Sequence, residues 1–167
     1  MTKAMQTILT TCISGTLSVL LAFGLPVLVR SVKVRRFGLI CLTFLILHLT
    51  VLGRKTQVEE HNFRLFWSYA QWNLFEMRHQ IIQNVIAFIP LGALLCGSFD
   101  TMKWWQAVLI CFVLSVVIET AQLKWSLGFS ELDDVMDNTL GGCIGALLYR
   151  ILGKNQIPNL GGYEVKG

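Results

Sequence analysis

The residues able to do chemistry in this chain are few, and they fall at helical spacings. Ser115, Glu119 and Gln122 stand at i, i+4 and i+7, one face of a helix. Asn84, Phe88 and Gly92 share a face of an earlier run, which also holds Pro90. A third stretch, Glu131 to Gly145, places Asp134, Asn138, Gly142 and Gly145 on one face, with Asp133 and Asp137 beside them. Paired carboxylates do acid–base work when their surroundings push their pKa values apart. That makes Glu119 and Asp134 the candidate catalytic pair. Arg54, Asn84, Gln122, Asp133 and Asn138 are the candidate binding groups for a phosphate or a sugar. Carboxylates and amides also suit a hard cation, but the spacing defines no ligand set, so neither metal nor cofactor is assigned. Each stripe also has a purely architectural reading: an interfacial glutamate, a proline kink, and an acidic helix start suited to the helix dipole.

The surroundings of these residues define the class. The chain has 167 residues, about one domain, with 54% apolar and 14% charged residues and a mean hydropathy of +0.59. So few charges cannot cover the surface of a small soluble globule. Disorder is excluded by the same numbers. Five cysteines, all inside apolar runs, do not read as a secreted disulfide framework. CxxC, HExxH, GxxxxGK and GxSxG are absent. The net charge of +4 follows from membrane topology and implies no nucleic-acid partner.

The expected fold is therefore all-α: a single-domain transmembrane bundle of about five spans, at 8–29, 37–53, 81–99, 104–123 and 135–152. Helices satisfy their own backbone hydrogen bonds in lipid. A cytoplasmic tail is expected at 154–167. Arg30, Lys33, Arg35 and Arg36 crowd one short connection. Such loops stay cytoplasmic, which places the N-terminus outside and the C-terminus inside. The acids then gather on the outer side. Between spans two and three, Phe63, Phe66, Ala70 and Leu74 recur at near-helical spacing, predicting an amphipathic helix on the outer leaflet. Gly141 and Gly145 form a GxxxG seam for close helix packing.

Taken together, Thr50–Arg54, Asn84–Gly92, Ser115–Gln122 and Asp133–Gly142 resemble the VanZ-like family of bacterial membrane proteins. The resemblance covers roughly Phe37 to Arg150. It departs from the family pattern at Gly128 and Phe129, where a basic residue is common, and at Asn62–Phe66, which lacks the family's proline. The resemblance implies a place in the bacterial cytoplasmic membrane and a role in resistance to lipid-tailed glycopeptides of the teicoplanin type.

Two functions fit. One is a non-enzymatic envelope factor at the outer membrane–water interface, with a lipoglycopeptide or lipid-linked cell-wall precursor as partner. The other is an enzyme acting on a lipid-linked or amphiphilic substrate, with Glu119 and Asp134 as its acid–base pair. The enzyme requires Arg54, Glu119 and Asp134 around one site; the envelope factor does not. The oligomeric state is not legible in the sequence.

Overall fold

A computed structural model describes residues 31–54, 60–62, 64–71, 74–127 and 129–152. The expected first span and the C-terminal tail lie outside the described residues.

The described chain is built mainly of helices. Helix α1, Val32–Leu47, runs directly into a π-helical turn, His48–Leu52. A three-residue strand β1, Glu60–Asn62, and a single helical turn α2, Trp67–Ala70, follow. Three long helices complete the fold: α3, Phe75–Ser98; α4, Trp104–Lys124; and α5, Leu132–Leu152, with strand β2, Phe129–Glu131, just ahead of α5.

Three segments are long and apolar enough to cross a membrane: Val32–Leu52, Met77–Ser98 and Trp104–Lys124, with mean hydropathies of 1.7, 1.8 and 1.9. They correspond to the second, third and fourth expected spans. Their exposed side chains include Phe37, Phe44, Leu109, Val113 and Val117. Against water these would cost hydrophobic free energy; against lipid tails they do not. The expected fifth run, 135–152, is helical throughout and belongs to α5. Its acidic first turns lower its hydropathy, and their side chains turn into the protein rather than outward.

Helix α5 packs along both α3 and α4, and α1 packs on α3. The α3–α5 contact is close because glycine permits it. A Cβ at Gly145 would overlap the carbonyl oxygen of Ile89, and one at Gly141 would overlap that of Val85. The GxxxG reading of this face thus corresponds to direct backbone-to-backbone packing. Phe88, Leu91, Leu94, Ala107, Cys111, Ile118 and Ala146 fill the core beside it. Pro90 lies inside α3, fully buried, where it leaves the Ile86 carbonyl without its usual intrahelical donor.

Two sequence expectations change. Helix α3 begins at Phe75, ahead of the expected start at 81, so Arg78, His79 and Gln80 extend it beyond its apolar run. The outer amphipathic helix reduces to the four residues of α2. Its periodicity is broken at Phe66, whose φ of 62° is left-handed and ends any helix entering from before it. Phe63 lies outside the described residues. The chain here forms a strap, Arg64–Gln71, bent across the start of α5. Strand β1 pairs in parallel with β2, Glu60 opposite Phe129 and Asn62 opposite Glu131, and so ties the same loop to that end of the bundle.

The bundle is polarised. At one end Arg36 donates from Nε to the Ser98 carbonyl at 3.1 Å and stacks over the Phe99 ring at 5.2 Å. Lys103 begins α4 there, with Gln106 accepting its N–H at 2.8 Å. The opposite end holds the start of α3, the end of α4 and the acidic start of α5.

Candidate functional site

At the acidic end five carboxylates are buried: Glu119, Glu131, Asp133, Asp134 and Asp137. Ionised carboxylates are not left bare in a protein interior, so the partners of each one define the site.

Asp133 holds the strap. The N–H groups of Phe66 and Ser68 donate to its two oxygens at 2.7 and 2.8 Å. The left-handed turn at Phe66 presents both amides to one carboxylate. Ser68 Oγ donates to Glu131 Oε2 at 2.8 Å, and Tyr69 donates its phenol proton to Asp137. One short turn therefore reaches three acids. Burial holds the Tyr69 phenol above its ordinary pKa, and the bond to Asp137 with the charges of Asp137 and Asp133 acts the same way. Tyr69 remains a donor throughout the physiological range.

Gln80, on the extended head of α3, joins two acids. Its Nε2 lies 3.0 Å from Glu131 Oε2 and 3.2 and 3.3 Å from the two oxygens of Asp134. Burial raises the Glu131 carboxyl above the glutamate range; the Ser68 bond opposes this, the charge of Asp133 adds to it, and the Gln80 bond opposes it. Glu119, from α4, accepts from Ser130 Oγ at 3.0 Å and from the Glu131 N–H at 3.2 Å. Strand β2 thus links the carboxylate of Glu119 to the Gln80–Glu131–Asp134 group. Glu119 and Glu131 both lie within electrostatic reach of Asp134.

The remaining candidates form the floor and the rim. Asn138 donates to Ser115 Oγ at 2.8 Å, a buried bond between α5 and α4. Gln122 donates to the Thr50 carbonyl at 3.0 Å and so ties α4 to the π-helical turn. Asn84 is half-buried, one helical turn beyond Gln80, and its Nδ2 has no partner among the described residues. Arg54 is exposed just after the π-helical turn and lies within electrostatic reach of Glu119.

The structure therefore brings Glu119, Asp133 and Asp134 to one buried locus, with Arg54 at its edge. Asn138 and Gln122 are turned to helix–helix bonds. Among the described residues, no three His, Cys, Asp or Glu side chains are arranged to hold a metal ion.

Sequence reasoning left out Ser68, Tyr69, Gln80, Ser130, Glu131 and Asp137 as site residues. Gln80 carried a signal, standing four residues before Asn84 on the same helical face. Glu131 stands three before Asp134. Ser68 and Tyr69 carried none: they meet their acids 63 to 68 residues away in the chain.

The site residues all lie within a segment shared with known proteins. The family model described as VanZ/LLP1 matches residues 34–153. Protein VanZ of Enterococcus faecium is 36% identical over 76 residues, 46% of this chain and 47% of that protein. The matched region thus spans about half the length of that curated relative. No solved structure matches the chain. With the family match extending from α1 through α5, the chain belongs to the VanZ/LLP1 family.

Proposed function

We propose that this protein is a multi-pass protein of the bacterial cytoplasmic membrane that contributes to resistance against lipoglycopeptides of the teicoplanin type. It acts at the outer membrane–water interface as an envelope factor, with the acidic end as its working surface. The observation that carries this reading is the strapped acidic site: Glu119, Glu131, Asp133, Asp134 and Asp137 buried together at the helix ends, under a turn anchored on three of them. An acidic helix start alone needs one or two exposed carboxylates at its N-terminus. It does not need five buried ones or a separate roof. The basic end, with Arg36 on Ser98, faces the cytoplasm in this reading, following the positive-inside rule. In the same reading the segment 8–29 and α5 also cross the bilayer, giving five spans within one VanZ-like domain and a cytoplasmic tail.

The test is Glu119→Gln in a host whose teicoplanin resistance depends on this protein, with its abundance in the membrane measured in parallel. The reading predicts susceptibility at unchanged abundance. Full resistance would remove the acidic site from function.

A second reading is favoured by one specific observation, the joining of Glu131 and Asp134 through a single Gln80 amide close to Glu119. Carboxylates held this close do not ionise independently, and an acid and a base are assembled in that way. In this reading Glu119 and Asp134 are acid and base on a lipid-linked or amphiphilic envelope substrate, and Arg54, Asn84, Gln122, Asp133 and Asn138 position it. Turnover of purified lipid-linked wall precursor by the full chain, abolished in Asp134→Asn, would establish the enzyme. A resistant host with unmodified precursor would leave the envelope-factor reading alone.

A further inference from the structure

We propose that the basic end of the bundle is a binding surface for an anionic phospholipid, with Arg36 as the group that holds its phosphate. The role of the acidic end plays no part in this.

This end carries positive charge that the chain does not balance. Lys33, Arg35 and Arg36 lie in the first turns of α1, Lys103 directly precedes α4, and Arg150 lies in the last turn of α5. Lys33, Arg36, Lys103 and Arg150 are exposed. Asp100 is the one acid at this end among the described residues, and there it forms no ion pair with these four. The rest of the sequence adds little: residues 1–30 contain no Asp or Glu, and residues 153–167 contain only Glu164. A basic surface at the ends of membrane helices attracts anionic lipid headgroups.

Geometry adds what charge alone does not supply. Arg36 donates from Nε to the Ser98 carbonyl at 3.1 Å, at the end of α3, and its guanidinium lies 5.2 Å from the centre of the Phe99 ring. These two contacts fix the plane of the fork and use only one of its N–H groups. The others have no acceptor among the described residues. A guanidinium held in one plane matches a phosphate through two parallel hydrogen bonds. Lys33 stands three residues before Arg36, on the same face of α1, and adds a second charge there. Orienting a membrane protein requires only the number of cations on one side. Capping the end of α3 accounts for Nε alone.

Position selects a lipid as the source of the phosphate. Apolar side chains are exposed directly beyond the cations: Phe37 and Ile40 on α1, and Trp104, Trp105 and Leu109 on α4. Tryptophans at this place mark the headgroup level of a bilayer. A charged surface that gives way to an apolar one within a turn of helix complements a phosphate headgroup followed by acyl chains. A soluble polyanion has nothing to set against the apolar part.

The test uses the full chain in detergent, with bound lipid counted by native mass spectrometry. The probes are phosphatidylglycerol and phosphatidylcholine with identical acyl chains. Both carry a phosphate, but the choline ammonium of the second cancels its charge. The expected preference for phosphatidylglycerol is about tenfold, the equivalent of one charge-assisted hydrogen bond. Arg36→Gln should bring the two lipids near parity. Lys33→Gln should weaken the preference in the same direction and decides the matter if Arg36→Gln does not fold; a retained thermal unfolding transition shows which has folded. Lys124→Gln makes the same change of charge at the opposite end, where Lys124 lies over Trp125, and should leave the preference intact. Glycerol phosphate added as competitor separates the sources. Displacement only at large excess supports a lipid headgroup; displacement at equal concentration identifies a soluble phosphate and overturns the lipid. Equal retention of both lipids by the wild type overturns the proposal, as does a preference that survives in folded Arg36→Gln. An equal loss in Lys124→Gln overturns it in favour of unspecific attraction by net charge.

Discussion

The two ends of the bundle handle charge in opposite ways. At the basic end, Lys33, Arg36, Lys103 and Arg150 are exposed, and Arg36 uses the Ser98 carbonyl and the Phe99 ring as its contacts. At the acidic end, Glu131, Asp133 and Asp137 are at most 2% exposed, and Glu119 and Asp134 only 8%. Cations in water cost little and serve to orient a membrane protein. Buried acids cost a great deal and need donors brought from elsewhere in the chain. The basic end therefore carries little desolvation cost, whereas the acidic end is maintained against its own.

The largest effect should come from the seam that joins the two ends. Gly145→Leu would drive a side chain into the backbone of α3 at Ile89. Overpacking of this kind costs about 3 kcal/mol or more where the obstacle cannot move. Membrane abundance and thermal stability should both collapse, abolishing the distinction between the ends. Normal abundance would show that α3 and α5 are not in backbone contact.

Removing the anchor of the strap should break the acidic end alone. Asp133→Ala deletes the acceptor of the Phe66 and Ser68 amides. Hydrogen bonds to a charged group contribute about 1.5–3 kcal/mol each. Amide exchange at residues 66–70 should rise by orders of magnitude, while α1 and the end of α3 keep their protection. Uniform exchange changes across the protein would contradict a local strap.

Acidity should affect the two ends differently. The folded Glu131 carboxyl is raised, chiefly by burial. Its contribution to stability is fully present below the ordinary glutamate value, about 4.3, and is lost as the pH rises through the raised folded value. The melting temperature in micelles should therefore increase as the pH falls across that window. Glu131→Gln should lessen the slope without abolishing it, since other buried carboxylates remain. An unchanged slope would mean that Glu131 is not the titrating group.

The smallest effect is expected at the basic end. Arg36→Ala removes one hydrogen bond and one cation–π contact, together about 1 kcal/mol at an exposed position. Stability should fall slightly and resistance should persist. Lost resistance at normal abundance would show that the basic end takes part in the proposed function.

How much of this was legible in the sequence depended on the range of the interactions. The apolar runs marked α1, α3 and α4 because their hydropathy is a local property. The seam was legible at Gly141 and Gly145, since close packing requires small residues at that spacing. The head of α3 was not, because Arg78, His79 and Gln80 are polar and lie beyond the apolar run, and hydropathy does not follow a helix out of its apolar run. The strap was misread as a longer helix: the apolar periodicity of Phe66, Ala70 and Leu74 is real, but a left-handed residue and the claim of Asp133 on two amides override it. Glu119 and Asp134 stood out because acids beside membrane helices are costly. Tyr69 did not, since nothing local separates it from any other loop aromatic.

The central claim is that the acidic end works rather than merely starts a helix, and Asp134→Asn tests it most directly. The substitution keeps the shape and an acceptor for Gln80 while removing the ionisable carboxyl. If Asp134 only favours the helix dipole, the loss is about 0.3–1 kcal/mol. The measurement is teicoplanin susceptibility at matched membrane abundance. Resistance should disappear while the protein remains at its wild-type level. Full resistance at that level would contradict the account and leave the buried acids as architecture.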